Sequence, residues 1–355
     1  IVMPDPLHNW QYSAAGWLEP LESYVANDAI TMPEYDAEDF VPGIFDAGKW
    51  NLELGQGIGE GSLWALPINF ESYNLTYRPS LLAEAGVEVP QTYAELLMAT
   101  ETLAETLDGN TYPIVTRFDR YWDLTYLTWA SMAQSYGVTL LDENGEVAID
   151  SPQGVQAAED FLEIVKAGSP NDASAFTWYE VLQGMVSGRF AIAMNEADLF
   201  AATYENPNES QIAEDVGYAL VPEGPAGRAT GAWIWQLSMN SGSVKKGAAW
   251  TFLQWLTSPE VLVQTNLNGN MNPVRESAWA NEELDAMVKE WGEYPGQYRE
   301  VLEATAEIAE IRFPPHPELT RVLDMWAEAL QTAYFDGDVE GHLKSAADDI
   351  RSVLG

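Results

Sequence analysis

Short apolar, β-branched and aromatic runs alternate along this chain with amphipathic stretches that carry their own caps, an alternation that predicts an α/β fold. Leu63–Ile68 and Tyr73–Tyr77 read as two short strands, and Arg189–Met194 as another. Thr92-Tyr93-Ala94-Glu95 and Thr177-Trp178-Tyr179-Glu180 are capping boxes, each predicting a helix start. Ser151-Pro152 opens a helix with Val155, Ala158, Phe161, Leu162 and Val165 on one face and Gly168 as its stop. Helices are predicted over Ala248–Leu256, from Ser258-Pro259 to the Asn268-Gly269-Asn270 break, and over most of Pro317–Val353 with a turn at Asp336-Gly337-Asp338. No Gly/Ser linker or internal repeat interrupts the pattern. The 355 residues suit two domains, so the chain is expected to cross between them several times through short strands.

Charge narrows the partners. With 55 Asp+Glu against 16 Lys+Arg the formal charge is −39, which opposes nucleic acid and anionic membrane surfaces alike. Such an excess of carboxylates reads as a solvated, salt-adapted surface. The absence of cysteine removes disulfides, thiolate metal sites and thiol nucleophiles, and His8, His316 and His342 are too scattered for a metal cluster; no metal or cofactor is expected. Phosphate-loop, nucleophile-elbow, HExxH and complete EF-hand motifs are missing. Gly55-Gln56-Gly57-Ile58-Gly59 has the wrong spacing for a dinucleotide site and reads as a surface loop. Ser243-Val244-Lys245-Lys246 reads as a helix start, and Asp142-Glu143-Asn144-Gly145 as a hairpin turn.

Aromatic content stands out, with 14 Trp and 16 Tyr. Trp10, Tyr121-Trp122, Trp233 and Trp235 fall in or beside segments that read as loops or strand ends. Amphipathic rings stack on the C–H faces of sugars and polyols, whose hydroxyls suit carboxylates and amides. Glu71, Asn195, Glu196 and Asp198 fall at strand ends, where open α/β sheets place ligands.

The order of features resembles the extracellular solute-binding proteins of ABC importers, in the branch that includes maltose- and polyol-binding proteins. Gly16-Trp17-Leu18-Glu19-Pro20-Leu21, Leu66–Tyr77, Leu81–Val87 with Pro90–Leu96, the Asp142–Val165 stretch, Met185–Met194, and Ala249–Leu253 ending in Ser258-Pro259-Glu260 carry the likeness in order over nearly the whole chain. The chain opens abruptly at Ile1-Val2-Met3-Pro4-Asp5, as if within a strand. The family's first strand and helix, and any export signal or lipid-anchoring cysteine, are expected upstream.

The resemblance implies a two-lobed periplasmic-binding-protein type II fold with crossing hinge strands. The N-terminal lobe would take 1–71 and 236–280, and the C-terminal lobe 72–235 and 281–355. It also implies a periplasmic or extracellular monomer, any membrane anchor lying in the upstream segment, that captures a small carbohydrate or polyol in the interlobe cleft. Hinge closure then delivers the solute to the importer's membrane permease subunits. Residue by residue, Glu71 matches a hydroxyl-binding acid of the first crossover, with Asn69 beside it. Tyr121 matches a C-lobe aromatic flanked by Arg120 and Trp122. Asn195, Glu196 and Asp198 follow the family's strand into the cleft. Trp233 and Trp235 lie on the return crossover, where alternate residues share a face. His8 and Trp10 are placed at a strand-to-helix turn, Asn272 before Pro273, and Arg321 near the Pro314-Pro315 turn.

Two other readings remain at this point. A glycoside hydrolase also combines aromatic platforms with paired carboxylates, but the receptor segments and the lack of a repeated barrel pattern oppose it. A cationic solute in the same fold would exploit the negative charge, and its affinity would collapse with salt.

Overall fold

The computed structural model describes residues 1–270 and 272–354 and divides into two compact units. The first comprises Ile1–Glu71, Trp233–Val288 and Pro314–Leu319; the second comprises Ser72–Ala232, Lys289–Phe313 and Thr320–Gly355. The chain crosses between the units five times, first within the strand Leu66–Tyr77 and next within the strand Thr230–Leu237, so these two crossings are made by continuous extended backbone. Among the described residues no helix is long and apolar enough to cross a membrane.

In the first unit Asp5 caps the helix Pro6–Ala14, accepting from the His8 amide at 2.9 Å, with Pro6 in the first turn where a missing N–H costs nothing. Lys49–Trp50 and Ser62–Leu63 form a small antiparallel pair, and Trp64 Nε1 donates to the Trp50 carbonyl at 2.8 Å. Arg275 is fully buried and ties three segments together. Its guanidinium donates to the Thr257 carbonyl at 2.7 and 2.9 Å, to the Asp36 carbonyl at 2.6 Å and to Asp39 at 3.2 Å. It also lies 3.8 Å from the Phe40 ring centroid. A charge this deep is tolerable only because every face of it is occupied.

The second unit is built on a mixed sheet in the order Tyr112–Val115, Phe190–Ala197, Leu66–Tyr77, Thr230–Leu237, Ala309–Glu310, with Gly217–Leu220 also paired to Leu66–Tyr77. Tyr112–Val115 runs parallel to Phe190–Ala197, pairing Ile114 with Ile192. Leu66–Tyr77 is antiparallel to Phe190–Ala197, and its register slips between Asn74 and Thr76. The helices Tyr93–Thr106 and Pro152–Gly168 pack together against this sheet. Gly168 is obligatory there, since a Cβ would come within 2.4 Å of Thr100 Cγ2. Leu319–Asp336 and Val339–Leu354 end the chain as two helices separated at Gly337, whose φ is +86°.

Both capping boxes form, at Thr92/Glu95 and Thr177/Glu180, and the helices opened by Pro152 and Pro259 lie where the sequence places them. Asp142–Gly145 makes the expected hairpin turn: Asp142 Oδ1 accepts from Asn144 and Glu146, and Leu141 and Val147 pair antiparallel across it. Two expectations need correction. Leu63–Ile68 and Tyr73–Tyr77 are not two strands: Leu66–Tyr77 is one strand of 12 residues, because neighbours satisfy its polar middle. His8 and Trp10 are not at a strand-to-helix turn; both lie inside the helix Pro6–Ala14.

Candidate functional site

In the first unit, Asn69 and Glu71 are alternate residues of one strand and therefore share a face. Both are buried. Asn69 Nδ2 donates to Asn270 Oδ1 at 2.7 Å, and its Oδ1 accepts from the Phe70 amide at 2.7 Å. Glu71 Oε1 accepts from Trp235 Nε1 at 2.7 Å. That indole orients one carboxylate oxygen while its ring stays half-buried. Asn272, in left-handed backbone at φ +70°, turns its Nδ2 to the Phe70 carbonyl at 2.9 Å. Asparagine is among the few non-glycine residues that adopt that conformation readily. Asn69 and Asn272 thus bond the two sides of the Phe70 backbone, and Glu71 with Trp235 forms a separate hydrogen-bonded pair beginning one residue further on.

Trp233 differs. It is 1% exposed, and its ring lies edge-on to that of Trp235, 6.0 Å between centroids. The two tryptophans share a face as expected, yet only Trp235 keeps an accessible ring. Trp10 is buried in the helix Pro6–Ala14, its indole N–H without a hydrogen-bond partner. His8 is half-buried and bound to Asp5 Oδ2 at 2.6 Å, which raises its pKa, so its ring holds the residue that caps the same helix. Neighbouring Asn9 was not singled out from the sequence; its buried amide meets Gln236 Oε1 of the return strand at 3.2 Å.

In the second unit two parallel strands, Tyr112–Val115 and Phe190–Ala197, run on into the segments that carry most of the remaining candidates, and Arg117 beyond the first meets Glu196 of the second. Glu196 is buried and accepts from Arg117 Nε at 2.8 and 3.1 Å and from a terminal guanidinium nitrogen of the same residue. Its Oε1 also accepts from the Ala197 amide at 2.8 Å. Asp198 accepts from the Ser72 amide at 3.2 Å and from the Ser72 hydroxyl. Asn195 sits at φ +50° and donates to the Tyr93 hydroxyl at 2.8 Å, leaving its Oδ1 buried without a partner. These three side chains are held by their own unit, so any solute contact would use their remaining lone pairs.

Arg120 and Tyr121 are exposed, Tyr121 by 53%. Trp122 is half-buried, and its backbone N–H donates to Asp324 Oδ1 at 2.8 Å. The segment runs into a π-helical stretch, Leu124–Trp129, a local widening found often at functional sites. Arg321 is exposed at the start of the helix Leu319–Asp336. Sequence reasoning passed over Arg117 and Asp119. The available signal is an arginine just past the apolar strand end Ile114-Val115 in a chain with 16 Lys and Arg among 355 residues.

The family model for bacterial extracellular solute-binding proteins matches residues 2–262. The erythritol/L-threitol-binding protein of Mycolicibacterium smegmatis is 28% identical over 346 residues, 95% of this chain and 71% of that one. The mannitol-binding protein of Pseudomonas aeruginosa is 26% identical over 251 residues, 70% of this chain and 53% of that one. A solute-binding protein of Agrobacterium radiobacter K84, solved in complex with ribitol, superposes with a TM-score of 0.84 at 23% identity. That match covers 99% of this chain and 84% of that one, and it shows that the fold is shared. On this match, the chain belongs to the bacterial extracellular solute-binding protein family.

Proposed function

We propose that this protein is the solute-capturing receptor of an ABC importer, that its solute is a neutral polyol or small sugar, and that it does no chemistry on it. The observation that carries the reading is the Glu71–Trp235 pair: a buried carboxylate with one oxygen fixed by an indole N–H, beside a ring that stays accessible. A carboxylate held this way keeps acceptor capacity for hydroxyls, and the ring offers a face for C–H groups. Asn69 and Asn272 add amides at the neighbouring Phe70 backbone. Relatives whose names specify erythritol, threitol and mannitol support the same solute class. In the second unit Tyr121, Trp122 and Arg120 are the candidates with accessible side chains, and Asn195, Glu196, Asp198 and Arg321 the secondary ones. His8, Trp10 and Trp233 act on this reading by packing behind the site.

The receptor works outside the cytoplasmic membrane as a monomer and hands its solute to the permease subunits. A ligand that binds the folded form alone raises its melting temperature by mass action. A thermal-shift screen over erythritol, ribitol, D-mannitol, maltose, amino acids and polyamines therefore tests the proposal: shifts are expected with the neutral polyhydroxylated compounds alone. A shift confined to polyamines and abolished by salt would replace this reading with the cationic one that the −39 charge favours. Reducing ends released from an oligosaccharide would make the protein an enzyme.

A further inference from the structure

Asp119 stands two residues beyond Arg117 on the segment that carries Arg120, Tyr121 and Trp122. It is 5% exposed, and its Oδ1 is buried without a hydrogen-bond partner. The backbone holds it there: the amides of Phe118 and Asp119 both donate to the Phe176 carbonyl, at 2.9 and 3.1 Å. Gln331 Nε2 clamps the Phe118 and Ser174 carbonyls at 2.9 and 2.7 Å. The charged groups that act on this carboxyl are Asp123 and Arg117 of its own segment. Arg117 in turn is held by Glu196 of the strand Phe190–Ala197, which takes three donor contacts from it. Asp123 in turn feels Asp324 of the helix Leu319–Asp336, which is bonded to the Trp122 amide. Acids therefore outnumber cations in this corner.

A buried, unpartnered carboxylate oxygen beside a second carboxylate is costly as an anion; as an acid it becomes a donor to its neighbour. We infer that Asp119 is a positioning residue. Held as a neutral acid, it shares its proton with Asp123, and this bridge sets the Tyr121–Trp122 segment between them for solute binding. Burial first, and then the Asp123 charge and hydrogen bond, push Asp119 up to about 8, so the bridge holds at neutral pH and opens above it. Once it opens, like charges flank the three residues Arg120, Tyr121 and Trp122, and the two rings lose their fixed placement.

The inference rests on the polyol reading, and its test separates the two. Polyols do not titrate in this range, so a pH-dependent affinity belongs to the protein. Calorimetric titration with erythritol, ribitol and D-mannitol between pH 6.5 and 9.5 would compare the wild type with Asp119→Asn and Asp123→Asn. An amide at either position keeps a donor–acceptor bridge without the proton. Glu205, pushed up to about 7 by burial, titrates in all three proteins and cancels. The wild type is expected to lose at least about threefold in affinity across the range, with about tenfold per unit above pH 8 as the limit when the protonated form alone binds. Both variants should give flat profiles. Parallel profiles in all three overturn the positioning role alone. No polyol binding by the wild type at pH 6.5 overturns the functional reading and the role with it.

Discussion

The two units hold their polar candidates by different means. In the first, Glu71, Asn69 and Asn272 form hydrogen bonds with an indole, an amide side chain and a backbone carbonyl. In the second, a guanidinium holds Glu196, while Asp119 faces another acid. The contrast separates two tasks. Hydrogen bonds to an indole or an amide aim a group at modest cost. Ion pairs at 1–4% side-chain exposure fix backbone geometry and tie stability to one partner.

The largest effect expected from that contrast follows Arg117→Ala. Stranding a buried Glu196 should cost about 3–5 kcal/mol of unfolding free energy in urea titrations. A loss below about 1 kcal/mol would put Glu196 in contact with water and erase the difference between the units. Trp235→Phe keeps the ring and removes only the donor to Glu71. It should weaken polyol binding by about 1.5–3 kcal/mol in calorimetry while shifting the melting temperature little, because a hydrogen bond to a charged group is lost. Unchanged affinity would remove Glu71–Trp235 from the site.

Protonation supplies a third test. Burial raises Asp119 to about 8 and Glu205 to about 7, both above their unfolded values. Between the unfolded and the folded pKa the folded protein holds more protons, so stability should fall as pH rises from about 4 to 8 and level off beyond. Asp119→Asn should recover at least about 1 kcal/mol at pH 9 and almost nothing at pH 4, read from melting curves. A gain equal at both values would mean that the carboxyl carries no proton. Smallest are the caps. Thr177→Ala in the second unit and Asp5→Ala in the first should each cost about 1 kcal/mol. Asp5→Ala should also return His8 toward its ordinary pKa, since the Asp5 hydrogen bond is the main cause of its rise.

Local signals were legible in the chain. Thr92, Thr177, Pro152 and Pro259 each act within one helical turn, and the helices they announce are present. The Asp5-Pro6 start was just as local, but an extended reading of the opening residues hid it and left His8 and Trp10 on a turn. The strand Leu66–Tyr77 looked broken because Asn69, Glu71 and Ser72 are polar, and their partners come from Asn270, Trp235 and Asp198. Arg117 and Glu196 are 79 residues apart, so neither advertises the other. Alternation put Trp233 and Trp235 on one face, but how deeply each is buried depends on what packs over the strand, which alternation does not encode.

The measurement that bears most directly on the account is calorimetric titration of the purified protein with ribitol, erythritol and D-mannitol at pH 7, beside Trp235→Phe and a salt series. The account expects saturable one-to-one binding of at least one neutral polyol, weakened by the variant and unchanged by salt. No heat from any polyol, or binding only of a cation that salt abolishes, would contradict it.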